Sequence, residues 1–233
     1  MELEDIKFVP VSPKQRVHFK CIGCRACCRN VYQAVPVETL DAFRIARHLR
    51  KSGHTVQSMD DFWAKYGEPA LLDECGYFVY FLKTTGEDHA CVFLEDNRCT
   101  IHTVNPRACR TYPFAMDPEN RQYLLTYERE HHFKGPSFRV KNWMQQYLTS
   151  EDLEFVELDY ESVIPVARLL KAVPEEQKLK AAMLFQLYKY SSYDLDKPFI
   201  EQFRSNTNQL IHVLGRLANK SGRESSNLND GGI

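Results

Sequence analysis

The sequence predicts an α+β protein. A cysteine-rich part with short β-hairpin elements is expected over 1–136, a helical C-terminal region over 137–220 and a disordered tail over 221–233. Three observations predict this. All eight cysteines precede residue 110, and seven fall in two groups: Cys21, Cys24, Cys27 and Cys28, then Cys91, Cys99 and Cys109. Aromatic and β-branched runs of strand length, bounded by turn formers, occupy the middle of the chain. From about residue 137 apolar side chains recur at helical spacing and cysteine is absent.

Residues 1–20 read as extended, with Pro10 and Pro13 as breakers, and 21–28 as a tight loop. A helix is expected over 37–51 after Pro36, with Val37, Leu40, Phe43 and Ala46 on one face and Gly53 as its stop. Ser58 is placed to cap a short helix over 59–66 that Gly67 ends. Residues 76–82 read as a strand, 84–88 as a turn and 90–94 as the return strand of a hairpin. The chain turns again at 95–98 to reach Cys99, and 121–127 is a further strand. One helix is expected around Phe138–Leu148, and a second over 163–173, disturbed by Pro165. A third covers 174–190, with Leu179, Met183, Leu184 and Leu187 as its apolar residues, and a fourth covers 198–220. Trp63, Trp143 and the aromatic residues at 77–81 are expected in the core.

With 233 residues, 43% hydrophobic and 26% charged, the chain has the make-up of a soluble globular protein. No apolar run is long enough to cross a bilayer. The acidic start lacks an apolar signal region, so a reducing cytoplasmic location is expected, where clustered thiols point to metal rather than to disulfides. A net charge of −1 says little about partners. Locally, no acidic residue occurs between Lys7 and Val37, while Lys14, Arg16, Lys20, Arg25 and Arg29 surround the first cysteines. Such cations offset the charge of a thiolate metal site; a solvated basic face is the plain alternative. Nucleic acid is not expected as a partner, because regular aromatic interleaving is missing. A protein or redox partner is the expectation.

Cys21, Cys24 and Cys27 match the first three positions of the ferredoxin run C-x2-C-x2-C-x3-C-P. The fourth position fails: Val31 stands there, and Cys28 follows Cys27 at once. Adjacent cysteines splay their sulfurs, so Cys27 and Cys28 point to two metals or to unequal roles. C-x2-C turns also serve zinc, and Cys91, Cys99 and Cys109 could complete tetrahedral sites. The expected cofactor is an iron–sulfur cluster of the 4Fe–4S kind or zinc, with iron–sulfur favoured.

The second group reads Cys91-Val-Phe-Leu, Cys99-Thr-Ile-His102 and Pro106-Arg107-Ala-Cys109-Arg110-Thr-Tyr-Pro-Phe114. With the first group it resembles the CxxCxxCC cysteine-cluster family, also called the YkgJ family, over roughly residues 18–135. The resemblance implies a zinc- or iron-chelating domain whose ligands are Cys21, Cys24, Cys27, Cys28, Cys91, Cys99 and Cys109. Arg25 replaces a glycine of the family pattern, and Asn105 replaces an arginine. The family's last cysteine has no match, and His131 or His132 stands in its place, with His132 the expected nitrogen ligand. Arg107 and Arg110 flank Cys109 and are expected to bind the cofactor or an anionic carboxylate; structural pairing to acids such as Glu95 or Asp96 is the alternative. Cys75 reads as an ordinary thiol, and His18 and His102 as neighbours of the site rather than ligands.

Two function classes follow. One is a metal protein serving electron transfer, metal handling or regulation. The other is an enzyme, since the family includes a flagellin lysine N-methylase branch. No Gly-rich nucleotide loop, Ser/His/Asp constellation or H-E-x-x-H motif is present, so no catalytic residue is named.

Overall fold

The computed structural model describes residues 8–117, 120–126 and 133–224, without the side chains of 220–224. It is α+β, with short antiparallel strand pairs around the cysteines and long helices after them. The chain opens with β1 (Phe8–Val11) and β2 (Arg16–His18), passes through a 3-10 turn at Ala26–Cys28, and enters β3 (Pro36–Val37). Helix α1 (Thr39–Lys51) buries Leu40, Ala42, Phe43, Ile45, Ala46 and Leu49, which lie round most of its circumference, so the core covers it on more than the one face the sequence suggests. Gly53 follows it at φ 82°, a value only glycine adopts freely.

Helix α2 (Met59–Tyr66) starts on a capping box. Ser58 Oγ accepts the Asp61 N–H at 3.1 Å, and the Asp61 carboxylate accepts the Ser58 N–H at 3.1 Å. Gly67 ends the helix and begins β4 (Gly67–Leu71). A Cβ there would lie 2.7 Å from the Trp63 ring and 2.9 Å from Tyr80, so the strand lies this close to the helix only without a side chain.

The expected hairpin of 76–82 with 90–94 does not form. Strand β5 (Phe78–Leu82) instead lies between β3 and β4. Its aromatic side chains are claimed by helices: Tyr80 stacks on Trp63 at 4.1 Å, and Phe78 meets Phe185 at 4.9 Å. The next two hairpins are minimal. One pairs β6 (Thr84–Thr85) with β7 (Ala90–Cys91), and the other pairs β8 (Leu94–Glu95) with β9 (Arg98–Cys99). Asp96 and Asn97 turn the second with φ 45° and 58°, the two-residue left-handed turn for which Asn and Asp are suited.

Helix α3 (Arg107–Thr111) leads into β10 (Phe114–Met116), which joins β11 (Tyr123–Thr126) and β1 in one sheet. Strand β12 (Ser137–Arg139) pairs with β2 and runs into α4 (Val140–Tyr147).

The helical region differs from expectation in two places. Helix α5 (Ser150–Ala172) begins thirteen residues before the predicted 163, because Thr149 and Asp152 form a second capping box, and it carries Pro165 inside. In α6 (Lys178–Phe185) the expected apolar residues Leu179 and Met183 face outward, as does Leu187 in the π-helical turn Gln186–Ser191. Phe185 takes the inward side instead, packing on Tyr77, Phe78 and Tyr190. Helix α7 (Phe199–Glu224) closes the structure against α5, with Phe199, Phe203, Leu210, Leu214 and Leu217 buried.

Two cores result. The larger joins α1, α2 and β5 to α5, α6 and α7; the smaller joins β1, β2, β10 and β11 to α4. Each mixes residues from before and after position 137.

Candidate metal centre

The first cysteines stand on a loop that two turns hold in place. Asn30 N–H donates to the Asp88 carbonyl at 2.8 Å and Val31 N–H to the His89 carbonyl at 3.1 Å. Arg25 Nε donates to the Asn97 carbonyl at 2.5 Å, Arg29 donates to the Asn97 side chain at 3.0 Å, and Arg29 pairs with Asp88. The Asp96–Asn97 turn and the turn before β7 therefore fix the loop from one side. Cys21 and Cys24 are exposed on it. Cys27 and Cys28 lie in the 3-10 turn with their sulfurs 3.9 Å apart, so the splaying expected of adjacent cysteines does not occur: the tight turn brings both thiols to one side.

The second group arrives from three other elements. Cys91 ends β7, Cys99 ends β9 and Cys109 sits inside α3. Cys91 is buried; Cys28, Cys99 and Cys109 are partly so. None of the eight cysteines is in a disulfide.

Five thiols feel one another. The Cys28 thiol is held up strongly by its contact with Cys27, then by burial, then by the charges of Cys27, Cys91 and Cys109. Burial pushes Cys91 up to about 11, with Cys99 and Cys27 adding to it. Cys99 is raised by burial and by Cys27, while Arg25 pulls it down. Cys109 is raised by burial first, then by Cys91, Cys27 and Cys99. Each thiolate makes the next harder to form, a repulsion that a cation among them reverses in sign. The all-sulfur donor set therefore fits a thiophilic metal. Among the described residues no three His, Cys, Asp or Glu side chains stand close enough to hold one ion as they are, so ligation requires the thiols to draw in.

The remaining candidates separate. His131 and His132 lie outside the described residues. His18 Nδ1 lies 2.9 Å from the Gly135 carbonyl oxygen, and His102 is exposed in a 3-10 turn. Cys75 lies apart, beside a groove lined by Leu170, Leu179 and Ala182.

Arg107 and Arg110 turn to carboxylates, and the acids are not Glu95 or Asp96. Arg107 Nε donates to Glu38 at 2.7 Å, and its backbone N–H donates to Asp41 at 2.9 Å. Arg110 donates twice to Asp152, both at 2.9 Å, and to Asp41 at 3.3 Å. Arg44 donates to the same Asp152 at 2.6 Å. Burial, then Glu38, lifts the Asp41 carboxyl to about 7, against the pull of the Arg107 N–H and Arg110. Burial opposes ionisation of Asp152 too, but Arg110 and the Thr149 cap outweigh it and hold that carboxyl well below the usual range.

Glu38, Asp41, Arg44 and Asp152 were not among the sequence candidates. Asp41 gave one signal, the lone acid between Leu40 and Ala42 in an otherwise acid-free helix, and Thr149-x-x-Asp152 gave another, a capping box.

The sequence profile of the CxxCxxCC family, described as "Putative zinc- or iron-chelating domain", matches residues 20–134. The matched segment, just under half of the chain, is similar to that family. No curated protein and no solved structure matches the chain. The matched segment contains all seven grouped cysteines, but not all that positions them. Arg110, one residue from Cys109, is clasped by Asp152 at the start of α5, beyond the matched segment. Among the described residues no helix is long and apolar enough to cross a membrane.

Proposed function

We propose that the matched segment holds a thiolate-ligated metal centre, an iron–sulfur cluster of the 4Fe–4S kind in preference to zinc, and serves electron transfer or metal handling in the cytoplasm. The observation that carries this is the convergence of Cys27, Cys28, Cys91, Cys99 and Cys109 from four elements, with Cys21 and Cys24 on the adjoining exposed loop. Seven thiols exceed the four that a closed zinc site uses, and thiolates are the ordinary ligands of iron–sulfur clusters. A bound cluster would supply one-electron chemistry. The chain's own part is to offer the sulfurs, to bury one side of them under the core, and to leave Cys21, Cys24 and Cys27 at the surface where a partner can approach.

Purification without oxygen tests this. Iron and sulfide in the protein, with broad visible absorption bleached by dithionite, are expected. Colourless protein with stoichiometric zinc, obtained even with iron supplied, rejects the cluster in favour of a zinc site on the same thiols. Cys24→Ser and Cys91→Ser should lower metal content, whereas Cys75→Ser should leave it unchanged. Unchanged metal in the first two variants would remove these residues from the ligand set.

A further inference from the structure

The strands β2 and β12 form a two-stranded ribbon whose two faces differ. Val17 and Phe138 pair across it and face the smaller core, where Phe138 stacks on Trp143 at 4.6 Å. The outward face carries Arg16 directly opposite Arg139, and His18 opposite Ser137. The alternation continues past the strand to Lys20, so Arg16, His18 and Lys20 are exposed between buried Val17 and Phe19, and Lys14 is exposed in the turn just before β2. The ladder continues at one end, where the Lys141 N–H donates to the Pro13 carbonyl at 3.0 Å, bringing Lys141 beside Lys14. At the other end Gly135 lies against Phe19 and Lys20, which brings Lys134 alongside. Only the fold places the second strand's cations with the first.

Like charges directly opposed across strands cost stability unless something offsets them. Among the described residues none of the six Lys and Arg side chains of this face forms an ion pair. Arg16 to Lys20 spans about 13 Å at strand rise, and the next residue is the exposed Cys21.

We propose that this ribbon docks the carboxylate-rich face of a partner protein and brings it to Cys21 and Cys24. The inference rests on the metal-centre reading for its purpose, since a protein exchanging metal or electrons must reach the exposed thiols. Two observations favour a compact acidic protein over nucleic acid. The ribbon's outward face carries no Phe, Tyr or Trp ring for bases to stack on, because Phe19 and Phe138 pack inward, and its one imidazole, His18, lies 2.9 Å from the Gly135 carbonyl oxygen. The net charge is −1, so setting these six cations aside leaves −7 on the rest of the chain, which repels a polyanion longer than the patch.

The test uses the full chain and a short fluorescein-labelled poly-glutamate peptide, followed by anisotropy. Binding is expected at about 50 mM salt and should weaken steeply as salt shortens the screening length. The triple variant Lys14→Ser, Arg139→Ser, Lys141→Ser should bind about tenfold or more weakly. The matched pair Lys178→Ser, Lys180→Ser should change little. Saturating peptide should also slow alkylation of Cys21 and Cys24 by iodoacetamide while leaving Cys75 unaffected. Equal binding by the triple variant, or unprotected Cys21 and Cys24, overturns the proposal. Tighter binding of a mixed-sequence DNA duplex than of the peptide overturns it in favour of nucleic acid. Ribbon-dependent peptide binding by a chain that holds no metal would leave the docking surface standing and reject the metal-centre reading.

Discussion

Arg25 stands at φ 62°, in the left-handed region, where the family pattern places glycine. The backbone conformation explains the glycine: a side chain there costs roughly 1–2 kcal/mol. Arginine offsets the cost by bonding the Asn97 carbonyl. Arg25→Gly and Arg25→Ala lose the same guanidinium contacts, so Arg25→Ala should be the less stable by about 1 kcal/mol, the backbone penalty alone. Urea denaturation of the two variants measures the difference. Asp41 makes a second prediction at this scale. A carboxyl raised to about 7 in the folded chain holds its proton more tightly there than in the unfolded chain. With an unfolded value near ~3.9, its contribution is full below that pH and lost as pH climbs to about 7. Asp152, held low, acts in the opposite sense: its contribution is present above ~3.9 and lost as pH falls below. Stability of the metal-free chain measured between these limits should therefore fall less in Asp41→Asn than in the parent. An identical slope would show that Asp41 stays ionised throughout.

At the scale of elements, local signals were legible where they are local in origin. Ser58 and Gly67 bound α2 as expected, since a cap and a stop act within one turn. The apolar run after 163 points to a helix start thirteen residues too late, whereas Thr149 and Asp152 mark the true start with a capping box. Pro165 stays inside α5 because the helix is held from both sides of it, by Phe155 before and by Val166 and Leu170 after. Its exposed ring contributes little packing, and proline in a helix interior forfeits a hydrogen bond. Pro165→Ala should raise stability by on the order of 1–3 kcal/mol, read as a higher urea midpoint. No gain would mean that the helix is already bent to suit the ring. The stripe Leu179, Met183, Leu187 was misplaced for a different reason: α6 has two apolar sides, and only the aromatic partners of Phe185 decide which faces in.

Across the whole molecule, the cysteine-bearing elements and the helices are tied by Arg107 and Arg110 and by the larger core. Arg110 links the helix of Cys109 to Asp41 on α1 and to Asp152 on α5. The larger core runs behind this clasp from Val31 to Leu217. Removing metal should therefore loosen the cysteine loops without unfolding the helices. Amide hydrogen exchange should quicken over 21–31 and 90–109, with α5 and α7 keeping their protection. Equal loss across the chain would mean that metal is required for the entire fold.

The sequence by itself showed the clustered thiols, because thiol spacing in a short loop is a local matter and needs no knowledge of the fold. It also determined the α+β class and most helix spans, through periodicity and caps. Which thiols meet, which acids hold Arg107 and Arg110, and which strands join into the basic ribbon were decided only by tertiary structure. The partners of those groups lie tens of residues away or more, as Asp41 does from Arg110 and Arg139 from Arg16. Pairing over such distances is set by how the cores pack, and no short-range pattern in the chain encodes it.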